Sequence, residues 1–215
     1  MTLASEQVAN HIKREGIIVI IRGDYALSDL FRIGEALLAG LLQVIEVTLN
    51  TRGALEVISA LRQRFGEQML IGAGTVRTRP QMQTALAAGA QFTVAPNFDP
   101  TTAASAQELN VLHLPGVFTP TEAQTAFAAG CRMVKLFPSE IVGPAHLKTL
   151  RAPLDDIEFV PTGGIGLNNI ADYAQAGAAA VGVGGALIPK TGWTSAEITA
   201  RAKALKAIWN EVRSQ

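Results

Sequence analysis

Residues 17–49 read IIVIIRGDYALSDLFRIGEALLAGLLQVIEVTL, and the reading of this stretch decides the fold. It opens on a β-branched run, Ile17–Arg22, and closes on a second, Val44–Leu49. Between them Leu27, Leu30, Phe31, Gly34, Leu37, Leu38 and Leu41 recur at the i, i+3, i+4, i+7 spacing of one helix face. Ser28 is placed to cap that helix, and Ala39-Gly40 to end it. The unit is strand, helix, strand.

The same alternation continues outward in both directions. Further strands are expected at Leu70–Ala73, Phe92–Ala95, Val111–Leu114, Met133–Phe137, Glu158–Pro161 and Ala180–Val183, each bounded by Gly, Pro or Asn. Leu55, Ile58, Leu61 and Phe65 form another helix face, with Thr51 as its expected cap, and Ser195–Val212 forms the last. Ser5–Glu15 is an extra helix ahead of the first strand. Ala-Gly pairs at 39–40, 88–89, 129–130 and 176–177 fall before every second strand. That mark suits a closed barrel whose alternate strands fill alternate interior layers. The expectation is an α/β fold, a (β/α)8 TIM barrel with an extra N-terminal helix, in one domain over residues 1–215. An open doubly wound sheet would carry a glycine fingerprint after its first strand, and Arg22-Gly23-Asp24-Tyr25 does not supply it.

Composition agrees. Of 215 residues 48% are apolar and 17% charged, so the chain should fold around covered strands. Lys+Arg and Asp+Glu both number 18, which gives no electrostatic reason to expect nucleic acid or an acidic membrane surface. The longest apolar run, Ile17–Ile21, is far too short to span a bilayer. Cys131 is the only cysteine, and a cytoplasmic protein is the natural expectation. His11, His113 and His146 are scattered, and no metal site is expected.

Three charges interrupt the apolar strands: Arg22, Glu46 and Lys135. Ile45, Val47 and Leu49 form the aliphatic face of the second strand, so Glu46 points into the barrel. The same alternation turns Lys135 and Arg22 inward. Burial lowers a lysine pKa and frees its amine as a nucleophile, while an inward glutamate can move protons. The pair suggests Schiff-base chemistry on a carbonyl compound, although a structural ion pair would read the same way. Pro161-Thr162-Gly163-Gly164-Ile165 and Gly182-Val183-Gly184-Gly185-Ala186 follow the last two strands, where barrels often bind phosphate. Ser139 could add a hydroxyl, Thr75 another, and Pro96 could shape the rim.

Glu46-Val47-Thr48-Leu49-Asn50-Thr51, Gly72-Ala73-Gly74-Thr75-Val76, Val134-Lys135-Leu136-Phe137-Pro138-Ser139 and Pro161-Thr162-Gly163-Gly164-Ile165 occur in this order along the chain. Together they resemble the 2-keto-3-deoxy-6-phosphogluconate (KDPG) and 6-phosphogalactonate (KDPGal) class I aldolases. The resemblance implies a homotrimeric barrel that cleaves a phosphorylated keto acid to pyruvate and D-glyceraldehyde 3-phosphate, with no cofactor beyond a lysine imine. It assigns Lys135 to the imine, Glu46 to acid–base work, and Thr75 and Arg22 to the pyruvyl carboxylate. It assigns Thr162, Gly163, Gly164, Gly184 and Gly185 to phosphate. Asn50, Pro96, Phe137 and Ser139 would complete the substrate site. Asn50, Pro96-Asn97 and Phe137–Ser139 look like the galactonate type; Val160–Gly164 looks more like the gluconate type. Alternatives are a 4-hydroxy-2-oxoglutarate aldolase, an oxaloacetate decarboxylase, or a non-catalytic phosphometabolite-binding barrel.

Overall fold

A computed structural model describes residues 4–189, 191–192 and 194–214. Its strands are β1 (Ile17–Ile21), β2 (Val44–Thr48), β3 (Leu70–Gly74), β4 (Phe92–Val94), β5 (Leu112–Leu114), β6 (Gly116–Val117), β7 (Met133–Leu136), β8 (Glu158–Pro161) and β9 (Val181–Val183). The helices are α1 (Ser5–Glu15), α2 (Leu27–Ala39), α3 (Ala54–Phe65), α4 (Arg79–Ala87), α5 (Pro100–Glu108), α6 (Pro120–Ala128), α7 (Gly143–Arg151), α8 (Ile170–Gln175) and α9 (Ser195–Arg213). Every strand pairing is parallel. The order is β5-β4-β3-β2-β1-β9 in one piece and β6-β7-β8 in the other. Only Pro115 separates β5 from β6. At the opposite seam a parallel bridge, Thr162↔Gly182, couples the end of β8 to β9. The curled sheet is that of a (β/α)8 barrel, with α1 as the extra helix.

The core has two shells, and strand alternation sorts residues between them. Ile17, Val19, Ile21, Ile45, Val47, Val134 and Leu136 pack outward against helical side chains such as Leu30, Leu37 and Trp209. Ile18, Val44, Leu70, Phe92, Leu112, Met133 and Val160 fill the interior together with Val8 and Ile12 of α1. Helix α1 therefore plugs the end of the barrel where the strands begin. The opposite end stays open for ionisable groups.

Three local expectations are corrected. The fifth strand bends at Pro115, which has no N–H for a ladder, and resumes as β6. The Pro115 carbonyl accepts the Lys135 N–H at 2.8 Å, so the break also registers β7. Ser28 and Thr51 do not cap helices. Ala26 stands at the N-cap of α2 and Gly53 at that of α3. The Thr51 hydroxyl instead meets Thr48 Oγ1 at 3.1 Å and the Ile21 carbonyl at 3.3 Å, tying the ends of β1 and β2 together. Finally, Gly40 is not left-handed (φ −91°); the turn passes to Leu41 at φ 64°. Glycine is needed at 40 for another reason: a Cβ there would stand 2.3 Å from the Ala202 Cβ of α9.

Candidate active site

Lys135 is the third residue of β7, in register with Gly116 and Val160. It shares the inward face with Met133, and only 4% of it is exposed. Its Nζ lies 4.9 Å from the centroid of the Phe137 ring, a cation–π distance. Burial pushes its pKa down; Glu46 opposes that shift and Arg22 adds to it. Glu46, on β2 beside Ile20 and Gly72, is 2% exposed. Its Oε1 has no hydrogen-bond partner among the described residues. Burial pushes the Glu46 pKa up, against the pull of Lys135 and Arg22. A buried carboxylate with an unpaired oxygen is costly to leave so. Glu46 and Lys135 act on each other's charge with no hydrogen bond between them among the described residues, an arrangement suited to relaying protons through a hydroxyl bound between them.

Glycines make the room. A Cβ at Gly74 would stand 2.8 Å from Glu46 Oε1, and one at Gly72 would stand 2.4 Å from the Phe92 ring. Gly182 is pressed against Thr162 in the same way, with 2.5 Å from a built Cβ to Oγ1. Side chains at these three points would collide with Phe92, Glu46 and Thr162.

A cleft of about 730 Å³ opens above Lys135. Arg22, Lys135 and Phe137 line it together with Thr162, Gly163 and Gly164 after β8 and Gly184 and Gly185 after β9. The N–H groups of Gly163, Gly164, Gly185 and Ala186 meet no acceptor within the protein among the described residues. Two side-chain devices fix these turns. Asn169 accepts the Gly166 N–H at 3.0 Å and donates to the Gly164 carbonyl at 3.0 Å. The Ser139 hydroxyl donates to the Leu136 carbonyl at 2.7 Å and accepts the Thr162 N–H at 3.1 Å. A built Cβ on Gly185 meets nothing within 4 Å, and one on Gly184 meets only Ile20, at 3.7 Å or more, so this turn leaves space beside its backbone.

The remaining residues singled out in the sequence stand elsewhere. Glu46 is buried and does not line the cleft. Thr75 follows the last residue of β3 at φ 59°, a strained backbone for a β-branched residue. Asn50 is exposed in the turn after β2. Pro96 lines a neighbouring recess of about 310 Å³ with Asn97, Gly116 and Phe118, and Phe137 borders both hollows. Ser139 is fully buried, its hydroxyl committed to the backbone of β7 and β8. Arg201 of α9 and Asn169 were not anticipated, although both line the cleft. Nothing in strand periodicity points to them. Among the described residues no group of three or more His, Cys, Asp or Glu could hold a metal, and no helix is long and apolar enough to cross a membrane.

A parallel barrel with ionisable side chains gathered at one end of its strands is the architecture of a barrel enzyme. The chain belongs to the KDPG and KHG aldolase family, whose model matches residues 8–205, and it is therefore an aldolase, an aldehyde-lyase. It is 43% identical over 148 residues to the 2-dehydro-3-deoxy-phosphogluconate aldolase of Treponema pallidum, covering 68% of this chain and 70% of that one. It is 36% identical over 169 residues to the probable 2-dehydro-3-deoxy-6-phosphogalactonate aldolase of Rhizobium meliloti, covering 78% and 79%. The KDPG aldolase of Legionella pneumophila, solved with pyruvate captured as a covalent carbinolamine, superposes with a TM-score of 0.79 at 28% identity, covering 95% and 97%.

Proposed function

We propose that this aldolase cleaves a 2-keto-3-deoxy-6-phospho sugar acid reversibly to pyruvate and D-glyceraldehyde 3-phosphate, through an imine on Lys135. The observation that carries this reading is the buried Lys135 amine, held down in pKa beside the Glu46 carboxylate at the foot of a cleft. The carbinolamine seen in the Legionella relative supports it.

Lys135 Nζ adds to the C2 carbonyl, and loss of water leaves a protonated imine. Glu46 moves the protons of these steps and takes the C4 hydroxyl proton as the C3–C4 bond breaks. The bonding electrons pass into the imine to give an enamine. Glyceraldehyde 3-phosphate departs, C3 is protonated, and hydrolysis returns the free amine and pyruvate. No metal or added cofactor enters this sequence. Arg22 and Thr75 orient the pyruvyl carboxylate, Arg22 by a charge-assisted bond. Gly163, Gly164 and Gly185 hold the phosphate through backbone N–H groups, while Thr162, its own N–H taken by Leu136 and Ser139, anchors the first turn and Gly184 leaves space beside the second. Phe137 and Pro96 bound the substrate laterally, and Asn50 faces it from the turn after β2. Ser139 serves by fixing the Thr162 turn. The enzyme works as a homotrimer, a reading supported by exposed Leu41, Leu109 and Ile141, the last 71% exposed; sedimentation tests it.

Borohydride reduction in the presence of pyruvate should add the reduced pyruvyl mass to Lys135. An unmodified Lys135 after reduction would sink the imine reading. A pyruvate-release assay on the two C4-epimeric phospho sugar acids decides between gluconate and galactonate types.

A further inference from the structure

Arg201 stands in the cleft without a part in the chemistry above. It sits two turns into α9, outside the barrel, and lines the cleft from the side of the last glycine turn. Its Nη1 donates to the Ala186 carbonyl at 3.0 Å, which fixes the guanidinium against Gly184-Gly185-Ala186. Glu197, one turn earlier on the same helix, feels its charge. Across the cleft, the Gly164 turn has a carboxylate behind it: a Cβ on Gly164 would stand 3.1 Å from Glu140 Oε2. Backbone N–H groups alone donate to any oxygen atom. A dianion placed between them and near Glu140 calls for a fixed cation on the opposite wall, and a guanidinium has five donors with which to meet it.

We propose that Arg201 is the side chain by which this cleft selects a phosphorylated keto acid over its unphosphorylated parent, its guanidinium meeting the terminal phosphate at the Gly184–Ala186 turn. The inference rests on the function proposed above and names the residue that discriminates at its phosphate end. Lys135, buried at the foot of the cleft, and Arg22, an exposed residue after β1 whose charge acts on Lys135 and Glu46, are assigned above to the part that both substrates share.

The test is the ratio of kcat/KM for 2-keto-3-deoxy-6-phosphogluconate to kcat/KM for 2-keto-3-deoxygluconate, in the wild type, Arg201→Met and Arg201→Lys. Both rates come from one preparation, so any loss of folded enzyme cancels in the ratio. Arg201→Met should lower the ratio about tenfold, the scale of one charge-assisted bond at a partly exposed site. Arg201→Lys should recover part of it, and the wild-type ratio should fall with added salt more steeply than the Arg201→Met ratio. A wild-type preference that survives intact in Arg201→Met overturns the role of Arg201 and leaves the aldolase reading standing. A wild-type ratio near one overturns the phosphate reading and this inference together.

Discussion

Gly74 and Glu46 share one small volume: the position of a Cβ on Gly74 is 2.8 Å from Glu46 Oε1. The residue that ends β3 thus leaves the space in which the β2 carboxylate rests. Gly74→Ala keeps an allowed backbone but must displace the carboxylate, because the neighbouring Thr48 methyl is only 3.0 Å from the same point. Small misplacements of a catalytic group are expensive in rate. We expect kcat for pyruvate release to fall by at least about tenfold, with a smaller change in KM. A kcat within a factor of about two of the wild type would show that Glu46 is not held where the reaction needs it.

The amine of Lys135 should titrate below its ordinary 10.5, because burial disfavours the ammonium form and Arg22 repels it. The rate of reductive trapping by pyruvate should therefore rise with pH to a midpoint below that value. Arg22→Met removes one repelling charge, so the midpoint should move to higher pH. A midpoint unchanged in Arg22→Met would separate Arg22 from the amine.

His113 supplies an acid-stability prediction. Burial lowers its pKa to about 4, against a partial upward pull from Asp99, while Nδ1 pairs with Thr93 Oγ1 at 2.8 Å. Its Nε2 is buried without a partner among the described residues. The unfolded chain binds the proton near pH 6.5 and the folded chain only near 4, so stability falls as pH drops through this window. The loss is on the order of 3 kcal/mol below pH 4. Urea midpoints between pH 7 and 4 should decline less steeply in His113→Asn. Equal slopes would remove His113 as the source.

Two glycines should fail in opposite ways. Gly40→Ala forces a methyl to within 2.3 Å of Ala202 Cβ and so pries α2 from α9. It should lower stability by about 1–3 kcal/mol, the usual cost of overpacking. Gly185→Val puts its Cβ where nothing lies within 4 Å, so the melting temperature should hold. KM for the phosphorylated substrate should rise about tenfold, because branched atoms would occupy anion space beside the amides. A normal KM in Gly185→Val would take that turn out of the phosphate site.

Much of this was legible because a strand has a strict period of two. Val44, Glu46 and Thr48 against Ile45 and Val47 place a carboxylate inside the barrel from the order of residues alone, and Met133 with Lys135 repeats the pattern. Hydroxyls were less readable. Thr51 and Ser139 each fit a plausible local role, a helix cap or a ligand, but both form bonds to backbone of another strand that no local window contains. Arg201 escaped notice for the same reason. Its place beside Ala186 depends on how α9 packs across the barrel, and on a helix surface one arginine looks like any other. The bend at Pro115 was visible as a proline; that the chain resumes its ladder at Gly116 depends on β7 being there to receive it.

The two-piece sheet has a consequence for how the enzyme can be taken apart. Glu46 lies in the six-stranded piece and Lys135 in the three-stranded one. One join is Pro115; the other is the bridge at Thr162↔Gly182. Glu46 and Lys135, the pair proposed above to act together, therefore belong to different pieces of the sheet, and their spacing is a gauge of whether the ring is shut. A chain severed near Pro115 would yield one fragment holding the carboxylate and another holding the amine. Turnover would then report reassembly of the ring, and neither fragment alone could mimic it.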